Sequence, residues 1–142
     1  KRITALYKFD EVYSLNFQTT RLDRVPMSDL VAAVSDVFRV FKPEEVFVPH
    51  SGDVHTDHRV AFDAVSACTK WFRYPYLKRI LAYETLSETD FVITPGPIFK
   101  PNYFVDISNE IEKKLELLKI YNQTFMIITI LIIGCILMKL MR

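Results

Sequence analysis

All three histidines of the chain lie in one short polar segment. Residues 49–59 read PHSGDVHTDHR, and this segment also contains two aspartates, Asp53 and Asp57. His55 and His58 are close enough in sequence that, in a turn entering a helix, their side chains project to the same side. Neutral imidazole is a common zinc ligand, and a neighbouring carboxylate can fix which ring nitrogen carries the proton. These residue types therefore suggest a metal site with Asp53 or Asp57 behind a histidine.

A purely structural interpretation of the same segment stays open. Asp57 is well placed to cap the helix that follows, and His50 fits an ordinary surface histidine. Two histidines and a carboxylate do not complete a catalytic zinc site, which usually has about three protein ligands. The spacing alone therefore does not decide between metal binding and a capped loop.

The composition is that of a folded domain. The chain has 142 residues, of which 50% are hydrophobic and 25% charged, which suits one domain with a core of its own. The net charge of +1 argues against a nucleic-acid partner held mainly by charge. Cys68 and Cys135 lie far apart and form no disulfide framework, which favours a reducing, cytoplasmic location.

Short apolar runs alternate with helical stripes along the chain. The pattern predicts strands at residues 11–17, 45–48, 78–84 and 102–107, and helices at residues 26–41, at residues 57–72 and after Ser108 or Asn109. This alternation predicts an α/β domain with a mostly parallel sheet. Ligands in such sheets bind beyond the carboxyl ends of the strands, and the histidine segment directly follows the predicted strand at residues 45–48.

A second patterned segment closes the sequence. Residues 124–138 are uncharged and mostly apolar, and Lys139 and Arg142 follow them. The run is short for a membrane span, which needs about 20 apolar residues. It fits a short membrane anchor, a segment that packs on the domain, or a frame-shifted end, and the third is favoured. We therefore divide the chain into a domain at residues 1–123 and a hydrophobic tail at residues 124–142.

The aromatic residues near the end of the second predicted helix invite two interpretations. They are Trp71, Phe72, Tyr74 and Tyr76. Such a cluster suits either a platform for a sugar ring or packing against the core. Packing is the favoured expectation.

The histidine segment resembles the second motif of the LmbE/PIG-L deacetylases. The similarity continues in RLD at residues 21–23, in LAYET at residues 81–85, and in FKPNYFVDIS at residues 99–108, which leads into a Lys-rich helix. The resemblance covers residues 7–123. Several separated motifs in the family's order are more specific than the pair of histidines alone.

The resemblance implies a Rossmann-like fold and a metal-dependent N-deacetylase with Zn²⁺ or another divalent ion. The implied substrate is an N-acetylglucosamine-type sugar or sugar conjugate, and the implied products are acetate and a free amino sugar. By position in the motif, His58 is the metal ligand. His55 stabilises the oxyanion and protonates the leaving amine, and Asp57 orients the His55 ring.

Further residues are candidates for substrate contacts around this site. They are Arg21, Asp53, Arg59 and Asn102. For Arg59, a solvated arginine in the first helical turn remains the simpler interpretation. For Arg21, a role in the loop's own structure is as good an explanation as a substrate contact.

The family's early His-Pro-Asp-Asp motif has no counterpart in this sequence, because every histidine falls within residues 50–58. Two presumed zinc ligands and the general base belong to that motif. The sequence is therefore interpreted as the C-terminal portion of a longer enzyme, a truncated reading frame or a degenerate copy. The alternative function is a non-catalytic or membrane-associated module of the same fold, with the tail at residues 124–142 as the membrane contact.

Overall fold

The computed structural model describes residues 9–86, 88–91 and 96–122. Within these residues the elements follow one another as a 3-10 helix Leu22–Arg24, α1 Met27–Phe41, β1 Glu45–Pro49, α2 Thr56–Ala67, β2 Arg79–Tyr83 and α3 Ile111–Asn122. The predicted tail at residues 124–142 lies outside the described residues. In the part of the chain that is described, no helix is long and apolar enough to cross a membrane.

The two strands form the unit that positions the histidine segment. β1 and β2 pair in parallel, with Val46 opposite Ile80 and Pro49 opposite Tyr83. Because parallel neighbours need a crossover, the chain leaves the end of β1, runs through α2 and returns to begin β2. Two parallel strands and three α-helices among the described residues are compatible with the predicted α/β class.

Helix α1 supplies one wall of the core and begins and ends where the sequence indicates. Pro26 is its N-cap, and Lys42 adopts the left-handed conformation (φ 53°) while its backbone N–H bonds to the carbonyl of Phe38. Pro43 cannot continue the helix. The buried stripe of α1 includes Val34 and Phe38. These side chains pack against β1, where Val46 and Val48 are buried.

Helix α2 ends earlier than predicted. It stops at Ala67 rather than at residue 72. The hydroxyl of Thr69 donates to the carbonyl of Ser66 at 2.7 Å, and the backbone N–H of Cys68 donates to Val65 at 2.8 Å. These local bonds tighten the last turn and replace the continuation of the helix.

The predicted strand at residues 11–17 is wrong. Only an isolated β-bridge at Ser14 forms in this wholly described stretch, and no strand develops, although its side chains alternate between half-buried and exposed. Asn16 has a positive φ of 56°, which interrupts the extended backbone that a strand requires. The alternation therefore reflects packing on the core, where Leu15 contacts the main cluster and Tyr13 lies edge-on to Phe41.

The predicted strand at residues 102–107 is also wrong. Its side chains are exposed, and neither β1 nor β2 pairs with it. Without a neighbouring strand to take its backbone hydrogen bonds, an apolar run does not form a ladder. The segment is tethered instead through Tyr103, whose hydroxyl accepts a hydrogen bond from Arg79 at 3.2 Å.

The aromatic cluster after α2 divides between core and surface. Tyr74 is 5% exposed and packs edge-on against Phe38, with ring centroids 5.5 Å apart. Trp71 is 80% exposed, and Phe72 is also largely exposed. The expectation of core packing therefore holds for Tyr74 and is wrong for Trp71 and Phe72.

Candidate functional site

The histidine segment connects the end of β1 to the start of α2. β1 ends at Pro49, and α2 begins at Thr56 with His55 as its N-cap. The segment therefore lies beyond the carboxyl end of a parallel strand and at a helix N-terminus. Both are common locations for ligands in α/β proteins.

His58 and Asp53 form a buried pair at the centre of this segment. Both residues are 0% exposed, and His58 Nδ1 lies 2.8 Å from Asp53 Oδ2. A carboxylate accepts from the Nδ1–H of a neutral imidazole and thereby leaves Nε2 unprotonated, with its lone pair available. The pair thus fixes the histidine in the tautomer that a metal ligand needs.

The other nitrogen of His58 has no hydrogen-bond partner. Nε2 is buried, and of the side-chain nitrogen and oxygen atoms described, only it and Thr85 Oγ1 are buried without a partner. Leaving a buried polar atom unpaired costs about 1–3 kcal/mol, so such atoms usually have a ligand or a role. This unpaired acceptor is the strongest structural sign of a ligand at the site.

His55 lies beside His58 with its ring partly exposed. The two rings stack with centroids 5.0 Å apart and an interplanar angle of 27°. Nδ1 of His55 accepts the backbone N–H of Asp57 at 3.1 Å, which is the helix-capping bond. In the neutral ring the proton is therefore on Nε2, which makes that atom a hydrogen-bond donor.

Asp57 contacts His55 through its backbone and not through its carboxylate. Its side chain is 0% exposed and accepts hydrogen bonds from the backbone N–H groups of Thr20 at 2.6 Å and Leu22 at 3.1 Å. The expected orienting contact between the Asp57 carboxylate and the His55 ring is replaced by the helix cap. The carboxylate instead attaches the loop at residues 19–22 to the start of α2.

Residues of the turn after β2 form hydrogen bonds with the histidine segment. Thr89 Oγ1 donates to Asp53 Oδ1 at 2.7 Å and accepts the backbone N–H of Thr85 at 2.8 Å. The backbone N–H of Val54 donates to the carbonyl of Glu88 at 3.0 Å. Burial and the nearby charge of Asp53 raise the pKa of Tyr83 well above its usual value, so its hydroxyl stays protonated.

His50 contacts the segment at residues 96–99 and not the His55–His58 pair. Its Nε2 lies 3.0 Å from the carbonyl oxygen of Pro97, and its ring lies edge-on to Phe99. A Cβ at Gly52 would lie 2.3 Å from the same carbonyl, so only glycine fits this close approach. His50 and Gly52 thus hold the segment at residues 96–99 against the site.

The four residues predicted to contact substrate differ in whether they contact the histidine segment. Asp53 lies at the centre, on His58. Arg59 is exposed and its Nη1 donates to the backbone carbonyls of Asp53 and Val54 at 2.9 and 3.0 Å, so it braces the loop. Arg21 and Asn102 are exposed, and neither has a side-chain contact that joins it to the histidines. Their substrate roles stay predictions.

The described residues fit a metal ion only in part. His58 Nε2 has the character of a ligand and Asp53 that of its orienting carboxylate. However, no three His, Cys, Asp or Glu side chains within residues 9–86, 88–91 and 96–122 come together in a way that could hold a metal ion. Among the described residues, His58 Nε2 is therefore a single candidate ligand atom without companions.

The comparisons with known proteins agree with the resemblance of the histidine segment. Residues 1–69 match the sequence model of a protein family described as PIG-L: GlcNAc-PI de-N-acetylase. This stretch includes the loop at residues 19–22 and the whole unit of β1, the histidine segment and α2. The similarity to the PIG-L family suggests a deacetylase-type hydrolase.

The PIG-L match covers just under half of the chain. The resemblances at residues 81–85 and 99–108 lie beyond it. No curated protein and no solved structure matched the chain.

Sequence reasoning missed two features of the site. Nothing in the spacing indicated that Thr89, which is 36 residues from Asp53, would reach its carboxylate. Nothing indicated that the Asp57 carboxylate would bind the backbone of Thr20 and Leu22 instead of an imidazole. Both are tertiary contacts between distant segments, and a local motif carries no signal for them.

Proposed function

We propose that this chain carries one side of the active site of a metal-dependent N-deacetylase with a Rossmann-like fold. The proposed reaction is hydrolysis of the N-acetyl group of an N-acetylglucosamine-type sugar or sugar conjugate, which gives acetate and an amino sugar. The PIG-L match supports the reaction class.

The observation that carries the proposal is the state of His58. Its Nδ1 is bonded to the buried Asp53 carboxylate, and its Nε2 is buried without a partner. A carboxylate behind a histidine is the usual support of a metal-ligating imidazole. A histidine that only fills the core would be expected to use both ring nitrogens.

Zn²⁺ or another divalent cation would be held in part by His58 Nε2, and such an ion lowers the pKa of bound water and polarises a carbonyl. Asp53 would hold the imidazole in the correct rotation and in the Nδ1–H tautomer, because its carboxylate accepts a hydrogen bond from Nδ1–H.

The proposed role of His55 is to act on the amide. Its capping bond leaves the proton on Nε2, so the ring can donate a hydrogen bond to the oxygen that becomes negatively charged. Transfer of a proton to the leaving nitrogen requires the imidazolium form of His55, in which Nδ1 carries a proton and cannot accept the capping bond, so the cap must open before His55 acts as an acid. Because the ring is partly exposed, a substrate can reach it from solvent.

The test is acetate release from an N-acetylglucosamine glycoside by the full chain supplied with Zn²⁺, beside His58→Ala, His55→Ala and His50→Ala. The proposal predicts that any acetate release by the wild-type chain is lost in the first two variants and mostly retained in His50→Ala. Equal acetate release by the wild type and His58→Ala would contradict it.

A non-catalytic module of the same fold is the second candidate. It is favoured by the incomplete ligand set of the described residues, where His58 has no second and third metal ligand beside it. Zinc bound through His58 without acetate release from any N-acetyl sugar would support this candidate over the enzyme.

A further inference from the structure

The described residues of the turn after β2, 84–86 and 88–89, contact the candidate site through their backbone and through the side chain of Thr89. The turn follows directly from the end of β2 at Tyr83, beside the end of β1 at Pro49. Its backbone is joined to the site loop by the bond from Val54 N–H to the Glu88 carbonyl. Its side-chain contact is the hydroxyl of Thr89.

The Thr89 hydroxyl has a defined direction of hydrogen bonding. It accepts the Thr85 backbone N–H at 2.8 Å, and its proton is therefore free to be donated to Asp53 Oδ1 at 2.7 Å. The carboxylate then has one oxygen committed to Thr89 and the other to His58 Nδ1. With both oxygens held, the carboxylate cannot rotate about its Cβ–Cγ bond without breaking one of the bonds.

We infer that Thr89 is a positioning residue for His58, acting through Asp53. A chain of four groups runs from the Thr85 N–H through the Thr89 hydroxyl and the Asp53 carboxylate to the His58 ring. It links the turn after β2 to the orientation of the unpaired Nε2. Bonds in such a chain polarise one another, and each member depends on the geometry of the next.

The link to catalysis rests on the proposed function, but the hydrogen-bond chain does not. The hydrogen-bond chain predicts which ring nitrogen of His58 carries the proton in the metal-free protein. It makes a separate prediction about metal affinity, since removing an outer partner of a ligating histidine typically weakens binding by about 10–100-fold.

The first experiment compares the wild type with Thr89→Val and Thr89→Ser in the metal-free full chain. The ¹⁵N shifts of the His58 ring are measured about two pH units above the ordinary histidine pKa of about 6.5. In the wild type and in Thr89→Ser, we expect one protonated nitrogen, Nδ1, and one unprotonated nitrogen, Nε2. In Thr89→Val, which keeps the shape without the hydroxyl, the two shifts should move towards each other as the tautomers mix.

The second experiment measures Zn²⁺ affinity by competition with a chromophoric chelator. Thr89→Val should bind about tenfold more weakly or worse, and Thr89→Ser should restore affinity. Thr69→Val is the matched control, because its hydroxyl bonds only to the Ser66 carbonyl at the far end of α2.

These outcomes separate the two claims. Wild-type shifts in Thr89→Val, or a serine variant that fails to restore them, would overturn the positioning role. A wild-type chain that binds no Zn²⁺ would count against the proposed function alone, because the ring shifts would still test Thr89.

Discussion

Asp53, in the loop after β1, and Asp57, in the first turn of α2, are two fully buried carboxylates that serve different purposes. Asp53 binds side chains, with His58 on one oxygen and Thr89 on the other. Asp57 binds backbone, with the N–H groups of Thr20 and Leu22 on its two oxygens. Burying a charged group is costly unless each oxygen is hydrogen-bonded, and both residues meet this requirement.

The difference shows that two carboxylates of one motif can have separate roles, one in ligand binding and the other in stabilising the fold. Asp53 sets the tautomer of His58, whose other ring nitrogen is unpaired. An unpaired buried nitrogen does not stabilise the fold. Asp57 satisfies two backbone donors from a loop more than 30 residues away in sequence. We therefore expect substitutions at Asp57 to affect stability first, and substitutions at Asp53 to affect ligand binding first.

The largest expected effect is on folding, from Asp57→Ala. It leaves the backbone N–H groups of Thr20 and Leu22 without their acceptor; the Leu22 bond is buried and the Thr20 bond is part-buried, and an unpaired buried donor costs about 1–3 kcal/mol. We expect the free energy of unfolding to fall by about 3 kcal/mol in urea titration.

Asp57→Asn is the matched control. It keeps one acceptor oxygen, so its free energy of unfolding should fall by about half as much as that of Asp57→Ala. If Asp57→Ala unfolds at the wild-type urea concentration, the comparison between the two carboxylates fails.

The second expected effect is a local loosening of the segment at residues 96–99, caused by Gly52→Ala. The added Cβ would lie 2.3 Å from the Pro97 carbonyl oxygen, so the segment at residues 96–99 must move away. Overpacking of this kind costs about 1–3 kcal/mol. We expect faster hydrogen exchange and proteolysis at residues 96–100, with α1 and β1 retained. An unchanged cleavage pattern would show that this segment is not held by His50 and Gly52.

The third effect is on binding, from Asp53→Asn. The amide keeps the shape of the carboxylate but removes its charge, so His58 becomes a weaker ligand. Zn²⁺ affinity should fall by about 10–100-fold, whereas the free energy of unfolding should change less than in Asp57→Ala. Chelator competition and urea titration on the same samples check both parts. A variant that loses stability but keeps its affinity would reverse the assigned roles.

The sequence predicted the parts of this site that depend on local pattern. The strand before the histidines, the helix after them and the side-by-side placement of His55 and His58 follow from periodicity and spacing. The role of Asp57 did not follow, because a carboxylate next to a histidine and a carboxylate under a distant loop look alike in sequence. The strand at residues 11–17 failed for a related reason, since the alternation reports burial, and β pairing there is limited to an isolated bridge at Ser14.

The smallest expected effect lies on the surface, at the aromatic pair Trp71 and Phe72. Trp71 is 80% exposed, so Trp71→Ala removes little buried area. Its free energy of unfolding should stay within about 0.5 kcal/mol of the wild type, and its Zn²⁺ affinity should not change. A large loss of stability would mean that the ring is covered by a contact that is absent from the described residues.

The most direct test of the central claim, that His58 presents a free nitrogen to a metal ion, is the zinc content of the purified chain after dialysis against metal-free buffer. The wild type is measured beside His58→Ala and beside His50→Ala, whose imidazole is engaged with Pro97. We predict that the wild type and His50→Ala retain more zinc than His58→Ala. Equal zinc in all three chains, or none in any of them, would contradict the account.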